Sequence, residues 1–304
     1  MVVAQYLLAF REVLEAALLT AIILAYLVKT GRTSLARYAW YGVYGATGVS
    51  IGLGAGIWLV YGNLSQANKV LFEGVAALIA VAVLTSMIYW MAVRARTIRS
   101  RVEGRVEAAV TQGAILGLVS LTFVLVFREG LETVLFLTPF LVQDSGATLL
   151  GATLGVGAGM TLAYGIFRFG LRLDLRKFFY FTSVLLILLA GGLLGYGIHE
   201  LIEYGGLRGA DFGWWGQLAY ALPLASDSLF HHKGVIGSIF AVMFGYTVKA
   251  EWARVIAHLA YLVLALPLVI LVYRKPEWIE LTLARLKAFF RPALAKGRTS
   301  PHED

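Results

Sequence analysis

Seven stretches of this chain are apolar for about the thickness of a bilayer: residues 3–28, 38–61, 70–93, 110–137, 147–169, 178–203 and 253–273. A spanning helix needs roughly 20 mostly apolar residues, and it satisfies its backbone hydrogen bonds within the segment. Runs of this length, rich in Leu, Ala and Gly, fit helices and not the roughly 10-residue alternating strands of a barrel. The 304 residues are 59% hydrophobic and 14% charged, with a mean hydropathy of +0.77, which excludes an ordinary soluble domain. The expected fold is an all-α polytopic membrane protein with seven transmembrane helices. The first run lacks a basic start and carries charge at its centre, so it reads as a span and not as a cleaved signal.

The positive charge behind the net +8 is concentrated in alternate connections. Lys29, Arg32 and Arg37 follow the first run. Arg94, Arg96, Arg99, Arg101 and Arg105 follow the third, and Arg168, Arg172, Arg176 and Lys177 follow the fifth. The segment from Arg274 to Arg298 is basic too, whereas 62–69 and 138–146 together carry one Lys and one Asp. The positive-inside rule then places the N-terminus outside and the C-terminus inside, which requires an odd number of spans. The basic charge therefore points to a membrane and its lipids, in a multi-pass protein, and not to nucleic acid.

Within this apolar background the phrase Phe-Arg-Glu-x-Leu-Glu occurs twice, at Phe10–Glu15 and Phe127–Glu132. Ionisable residues inside a membrane are costly and mark functional sites. At about 100° per residue, Arg11, Glu12 and Glu15 share one side of a helix, and so do Arg128, Glu129 and Glu132. Each Arg stands i, i+4 to its second Glu, the spacing of a salt bridge. Each motif has two Glu and one Arg, so a purely structural ion-pair network would be short of Arg. The excess carboxylates invite a multivalent cation, or protons in its absence. The chain has no cysteine, which leaves oxygen and nitrogen donors and favours a hard cation.

The repeated motif divides the chain. Residues 1–275 read as one seven-helix domain, with repeat one at 1–95, repeat two at 108–203, an outer segment at 204–250 and a seventh helix at 253–273. Three spans per repeat make the second copy inverted, a recurrent transporter architecture. Gly42, Gly45, Gly48, Gly52, Gly54 and Gly56, with Gly151, Gly155, Gly157 and Gly159, read as close helix-packing positions. Val235–Val248 is too short to span upright and reads as a half-helix, re-entrant or interfacial segment. Residues 276–304 read as a cytoplasmic basic amphipathic tail.

Other polar groups stand beside the motif. Glu73 opens the third span, and His199, Glu200 and Glu203 close the sixth, with His199 and Glu203 at i, i+4. Together with Asp227 they are candidate accessory residues that admit or relay cations. Each also has a plainer reading: an interfacial carboxylate, a polar helix end, or, for Asp227, His231 and His232, a solvated loop. His258 reads as a satisfied packing histidine.

Two Arg-Glu-x-x-Glu motifs in the first and fourth of seven helices resemble the oxidase-dependent iron permease family, which comprises the fungal high-affinity ferric permease and its bacterial iron-uptake counterparts. The resemblance covers essentially 1–275 and includes Phe72-Glu73-Gly74, Gly197-Ile198-His199-Glu200 and Gly245-Tyr246. It implies inward transport of Fe³⁺, with Glu12, Glu15, Glu129 and Glu132 as iron ligands and Arg11 and Arg128 positioning them. Iron is then the transported substrate, no cofactor is permanently bound, and the chain is not an enzyme. The acidic outer-loop motifs of fungal members are absent, which favours a prokaryotic member served by a separate outer or periplasmic ferroxidase or iron-delivery protein. Two other readings stay open: a permease for Fe²⁺, Mn²⁺ or Pb²⁺, and an intramembrane carboxylate metalloenzyme. The second lacks the Glu-x-x-His motif of dimetal bundles.

Overall fold

The computed structural model describes residues 2–94, 97–111, 115–169, 175–225, 228–231 and 235–274. Apolar periodic sequence becomes helix nearly throughout: α1 (Val2–Lys29), α2 (Ala36–Gly62), α3 (Gln66–Arg94), α4 (Ile98–Thr111), α5 (Ile115–Gln143), α6 (Ser145–Phe169), α7 (Leu175–Leu207), α8 (Val235–Phe244) and α9 (Trp252–Arg274). Five of them, α2, α3, α6, α7 and α9, are long and apolar enough to cross a membrane. The 28-residue α1 and the 29-residue α5 match them in length, but each carries an Arg and two Glu in mid-course.

Several expectations need correction. The fourth long helix was expected at 110–137 and runs from Ile115 to Gln143, with Pro139 inside it. Proline removes one helical hydrogen bond. In apolar surroundings the following residues still have no better way to satisfy their backbone than to continue the helix. The basic segment between the repeats contains helix α4, whose Val102 and Val106 are buried beside Ile23, Leu27 and Leu118. The apolar segment 235–248 is helical only to Phe244, because Gly245 adopts a left-handed φ of +62° that ends it. The architecture is all-α as expected, with one short pairing beside the helices: β1 (Leu218–Ala221) runs antiparallel to β2 (Lys249–Glu251). Asp227, His232 and the 276–304 tail lie outside the described residues.

The long helices associate in three principal pairs, α1 with α6, α2 with α5, and α3 with α7. Small residues set the first two. A Cβ on Gly42 would stand 2.6 Å from the Val119 carbonyl oxygen, and one on Gly151 would stand 2.7 Å from that of Val2. Successive contacts fix the directions. Gly42 meets Val119 and Thr122, Gly130 meets Ser50, and Gly54 meets Val134, so α2 and α5 are parallel. Gly151 meets Val2, Gly155 meets Tyr6 and Phe10, and Gly159 meets Val13, so α1 and α6 are parallel. Gly74 meets Leu201 while Gly197 meets Ala77 and Leu78, so α3 and α7 are antiparallel. Exchanging α1, α2 and α3 for α5, α6 and α7 maps this set of pairs onto itself.

The main core lies along α3, α7 and α9, with Leu84, Ile88, Ile187, Ala190 and Val269 fully buried or nearly so. Leu8 of α1 and Phe136 of α5 complete it. The outer faces of α2 and α6 remain apolar and exposed, as at Ile51, Trp58, Leu149 and Met160. That distribution suits a lipid boundary.

Candidate functional site

Both motifs lie inside continuous helix, so their three charged side chains share a face as the spacing requires. Contact between α1 and α5 then brings the two faces together. Arg11, Glu12, Glu15, Glu129 and Glu132 are all buried. One carboxylate oxygen from each of Glu12, Glu15 and Glu129 lies within 4.8 Å of the others, close enough for one cation to bridge. Glu132 stands outside that group.

The two copies are not equivalent. Arg11 is 1% exposed, with Nη1 donating to Glu12 Oε1 at 2.9 Å and Nη2 lying 2.8 Å from Glu15 Oε1. The second contact is an ion pair whose angle is too poor for a hydrogen bond, and both atoms keep unmet capacity. Arg11 Nη1 also donates to Met87 Sδ of α3 at 2.7 Å. Arg128 donates from Nε to Glu132 Oε1 at 2.8 Å, but its side chain is 39% exposed and stacks on Trp90, 4.3 Å from the ring centroid. The Glu129 carboxylate forms no hydrogen bond or ion pair among the described residues, and its Oε2 is buried without a partner. Single oxygens of Glu12 and Glu132 are likewise unmet. Buried carboxylate oxygens without donors are costly, a deficit that either a cation or protons can relieve.

Glu73, His199, Glu200 and Glu203, the accessory residues that are described, gather in a second place. Glu73 accepts hydrogen bonds from the Tyr61 hydroxyl at 2.6 Å and from the Tyr196 hydroxyl. His199 pairs through Nδ1 with Glu251 Oε1 at 2.9 Å, and its Nε2 lies 3.9 Å from Glu203. Glu200 is buried, and His199, Glu200 and Glu203 present ligand atoms within 4.8 Å of one another. A cavity of about 1190 Å³ opens here, lined in part by Tyr61, Tyr196, His199, Glu200, Glu251 and Arg254. It also reaches Phe140 and Gln143 at the end of α5 that lies beyond Glu132. Glu251 is held below the usual carboxylate range: burial pushes it up, but its hydrogen bond and charge interaction with His199 more than offset that.

His231 corrects the solvated-loop reading. It is buried and lines the same cavity, because the start of α8 folds back over it and brings Gly237 against its carbonyl. His258 packs against Gly191 and Gly245, as expected, but its Nδ1 is buried with no hydrogen-bond partner among the described residues, so it is not the satisfied histidine expected. Sequence reasoning missed Met87, Trp90, Tyr61, Tyr196 and Glu251. Tyr196 has a faint signal, standing one turn before Glu200 on the same helix face. The others come from elements whose apposition no local pattern encodes.

A model of the iron permease FTR1 family matches residues 2–274. An uncharacterized protein of Archaeoglobus fulgidus is 44% identical over 265 residues, 87% of this chain and 93% of the relative. The ferrous iron permease EfeU of Yersinia pestis is 33% identical over 283 residues, 92% of this chain and 97% of its own length. The ferrous iron permease EfeU of Escherichia coli O6:H1 is 34% identical over 266 residues, with 86% and 92% covered. No solved structure matches the chain.

Proposed function

The chain belongs to the iron permease FTR1 family, and from that premise we propose that it imports iron through the carboxylates of its two Arg-Glu-x-x-Glu motifs. The observation that carries the reading is the convergence of Glu12, Glu15 and Glu129, buried and drawn from two helices, within 4.8 Å. Glu132 is the fourth ligand. Arg11 and Arg128 position the carboxylates and reduce the formal charge of the cluster to −2, which leaves room for a multivalent ion. An all-oxygen donor set suits Fe³⁺. A second reading, Fe²⁺, is favoured by the ferrous iron permeases among the relatives.

In this reading α1, α2, α3, α5, α6, α7 and α9 are seven spans, and the first six form two inverted repeats. The self-mapping helix pairs and their directions support it. The ends that carry Lys29, Arg32, Arg101, Arg105 and Arg274 face the cytoplasm by the positive-inside rule. The 1190 Å³ cavity then opens outward. Glu73, His199, Glu200 and Glu203 beside it, with Asp227, admit and relay the ion. An outer ferroxidase or iron-delivery protein presents Fe³⁺ to it. The chain acts as a permease of the cell membrane and not as an enzyme.

Uptake into proteoliposomes tests this, with chelated Fe³⁺, Fe²⁺ kept reduced, and Mn²⁺ compared. Saturable iron uptake that is lost in both Glu12→Gln and Glu129→Gln supports the site. Undiminished uptake in both variants overturns it. The preferred ion among the three decides between the readings.

A further inference from the structure

Helix α3 carries neither motif, yet it holds the arginine of each. Met87 accepts from Arg11, and three residues on, Trp90 stacks under Arg128. The two arginines differ in their freedom to leave. Arg11 is enclosed with its two glutamates, whereas the Arg128 side chain is 39% exposed. Arg128 in turn occupies Glu132, the one motif carboxylate outside the convergent three, whose Oε2 is buried with no hydrogen-bond partner. A cation stacked on an aromatic face is attracted by the ring quadrupole.

Resting on the site proposed above, we propose that Trp90 is a positioning residue that latches Arg128 onto Glu132 and so withholds the fourth carboxylate from the transported ion. An ion arriving among Glu12, Glu15 and Glu129 repels both guanidinium groups. Arg11 has nowhere to go. Arg128, the less enclosed of the two, swings away from Glu132, and Glu132 turns to the ion. When the ion leaves, Arg128 returns to Trp90 and takes Glu132 back. Conduction needs binding that is strong enough to admit an ion and weak enough to release it. The stack on Trp90 sets that balance by making Arg128 a competitor of the ion for Glu132.

The test is initial-rate iron uptake across iron concentrations in proteoliposomes, with equilibrium iron binding to the purified protein alongside. Trp90→Leu removes the ring. It is expected to lower KM and Vmax together by several-fold and to tighten binding, because Glu132 is freed and release slows. Trp90→Phe keeps an aromatic face and stays near wild type. In a Glu132→Gln background, Trp90→Leu changes nothing further, since the withheld ligand is gone. A raised KM in Trp90→Leu, or an equal effect with and without Glu132, overturns the latch and leaves Trp90 a packing residue. Undiminished uptake in both Glu12→Gln and Glu129→Gln overturns the carboxylate site itself. Loss of uptake in Glu129→Gln, with Trp90→Leu indistinguishable from wild type, overturns the latch alone.

Discussion

The Arg11 guanidinium stands 2.8 Å from Glu15 Oε1, with both side chains almost wholly buried in the interior of the helix bundle. Removing one partner of a buried pair strands the other charge, at a cost of about 3–5 kcal/mol. Arg11→Leu strands both Glu12 and Glu15. A large fall in apparent Tm in detergent is expected. Arg128→Leu, whose side chain is already part-exposed, should cost clearly less. Equal losses in the two variants would contradict the asymmetry between the copies.

Glu129 is buried without an ion-pair partner among the described residues. An unpaired buried carboxylate is unfavourable to the fold. Glu129→Gln should therefore leave the apparent Tm unchanged or raise it, while iron uptake falls to background. That combination separates a carboxylate kept for the ion from one kept for stability. A marked loss of Tm in Glu129→Gln would assign it to the fold.

Glycine positions on α2 divide sharply. Gly42 lies against the Val119 backbone, whereas Gly48 and Gly52 have nothing within 4 Å. Gly42→Leu overpacks the α2–α5 contact and should cost about 1–3 kcal/mol or more, because a backbone cannot yield as a side chain does. Gly48→Leu should be nearly neutral. Thermal unfolding followed by size-exclusion chromatography distinguishes the two.

The His199–Glu251 pair gives a pH dependence with a definite sign. The Glu251 carboxyl lies below its usual range: burial pushes it up, and His199 and Arg254 outweigh that. Its contribution to stability is full above the unfolded carboxylate value and is lost as pH falls through the lower folded one. The Tm advantage of wild type over Glu251→Gln should therefore be present at pH 7 and shrink as pH falls below the ordinary carboxylate range. An advantage that grows on acidification would contradict the pairing.

Local regularities in the sequence determined the long helices, their alternation, and the placing of three charges on one face of α1 and of α5. These properties depend on period and composition, which neighbouring residues carry by themselves. The i, i+4 pairs Arg11–Glu15 and Arg128–Glu132 follow from the same helical period. The small-residue stripes were legible only in part: Gly42, Gly45, Gly54, Gly151, Gly155 and Gly159 meet a partner helix, whereas Gly48, Gly52, Gly56 and Gly157, also expected at close packing positions, have nothing within 4 Å because they lie on the other faces of their helices. Helix α5 runs past the expected 137 to Gln143, because the lack of backbone partners in an apolar setting keeps it going through Pro139.

Tertiary structure decided what the motifs became. Two nearly identical hexapeptides end in different surroundings, one arginine enclosed among its glutamates and the other half-exposed on Trp90. Glu12, Glu15 and Glu129 converge while Glu132 stays with Arg128. Likewise Tyr61, Glu73 and Tyr196 meet from three helices, and Glu251 reaches His199 from a strand. The reason is physical: a helix period says which side chains share a face, but only the close approach of small residues on α2 and α6, and the packing of α3 against α7, set which faces meet and how far each charge is withdrawn from solvent.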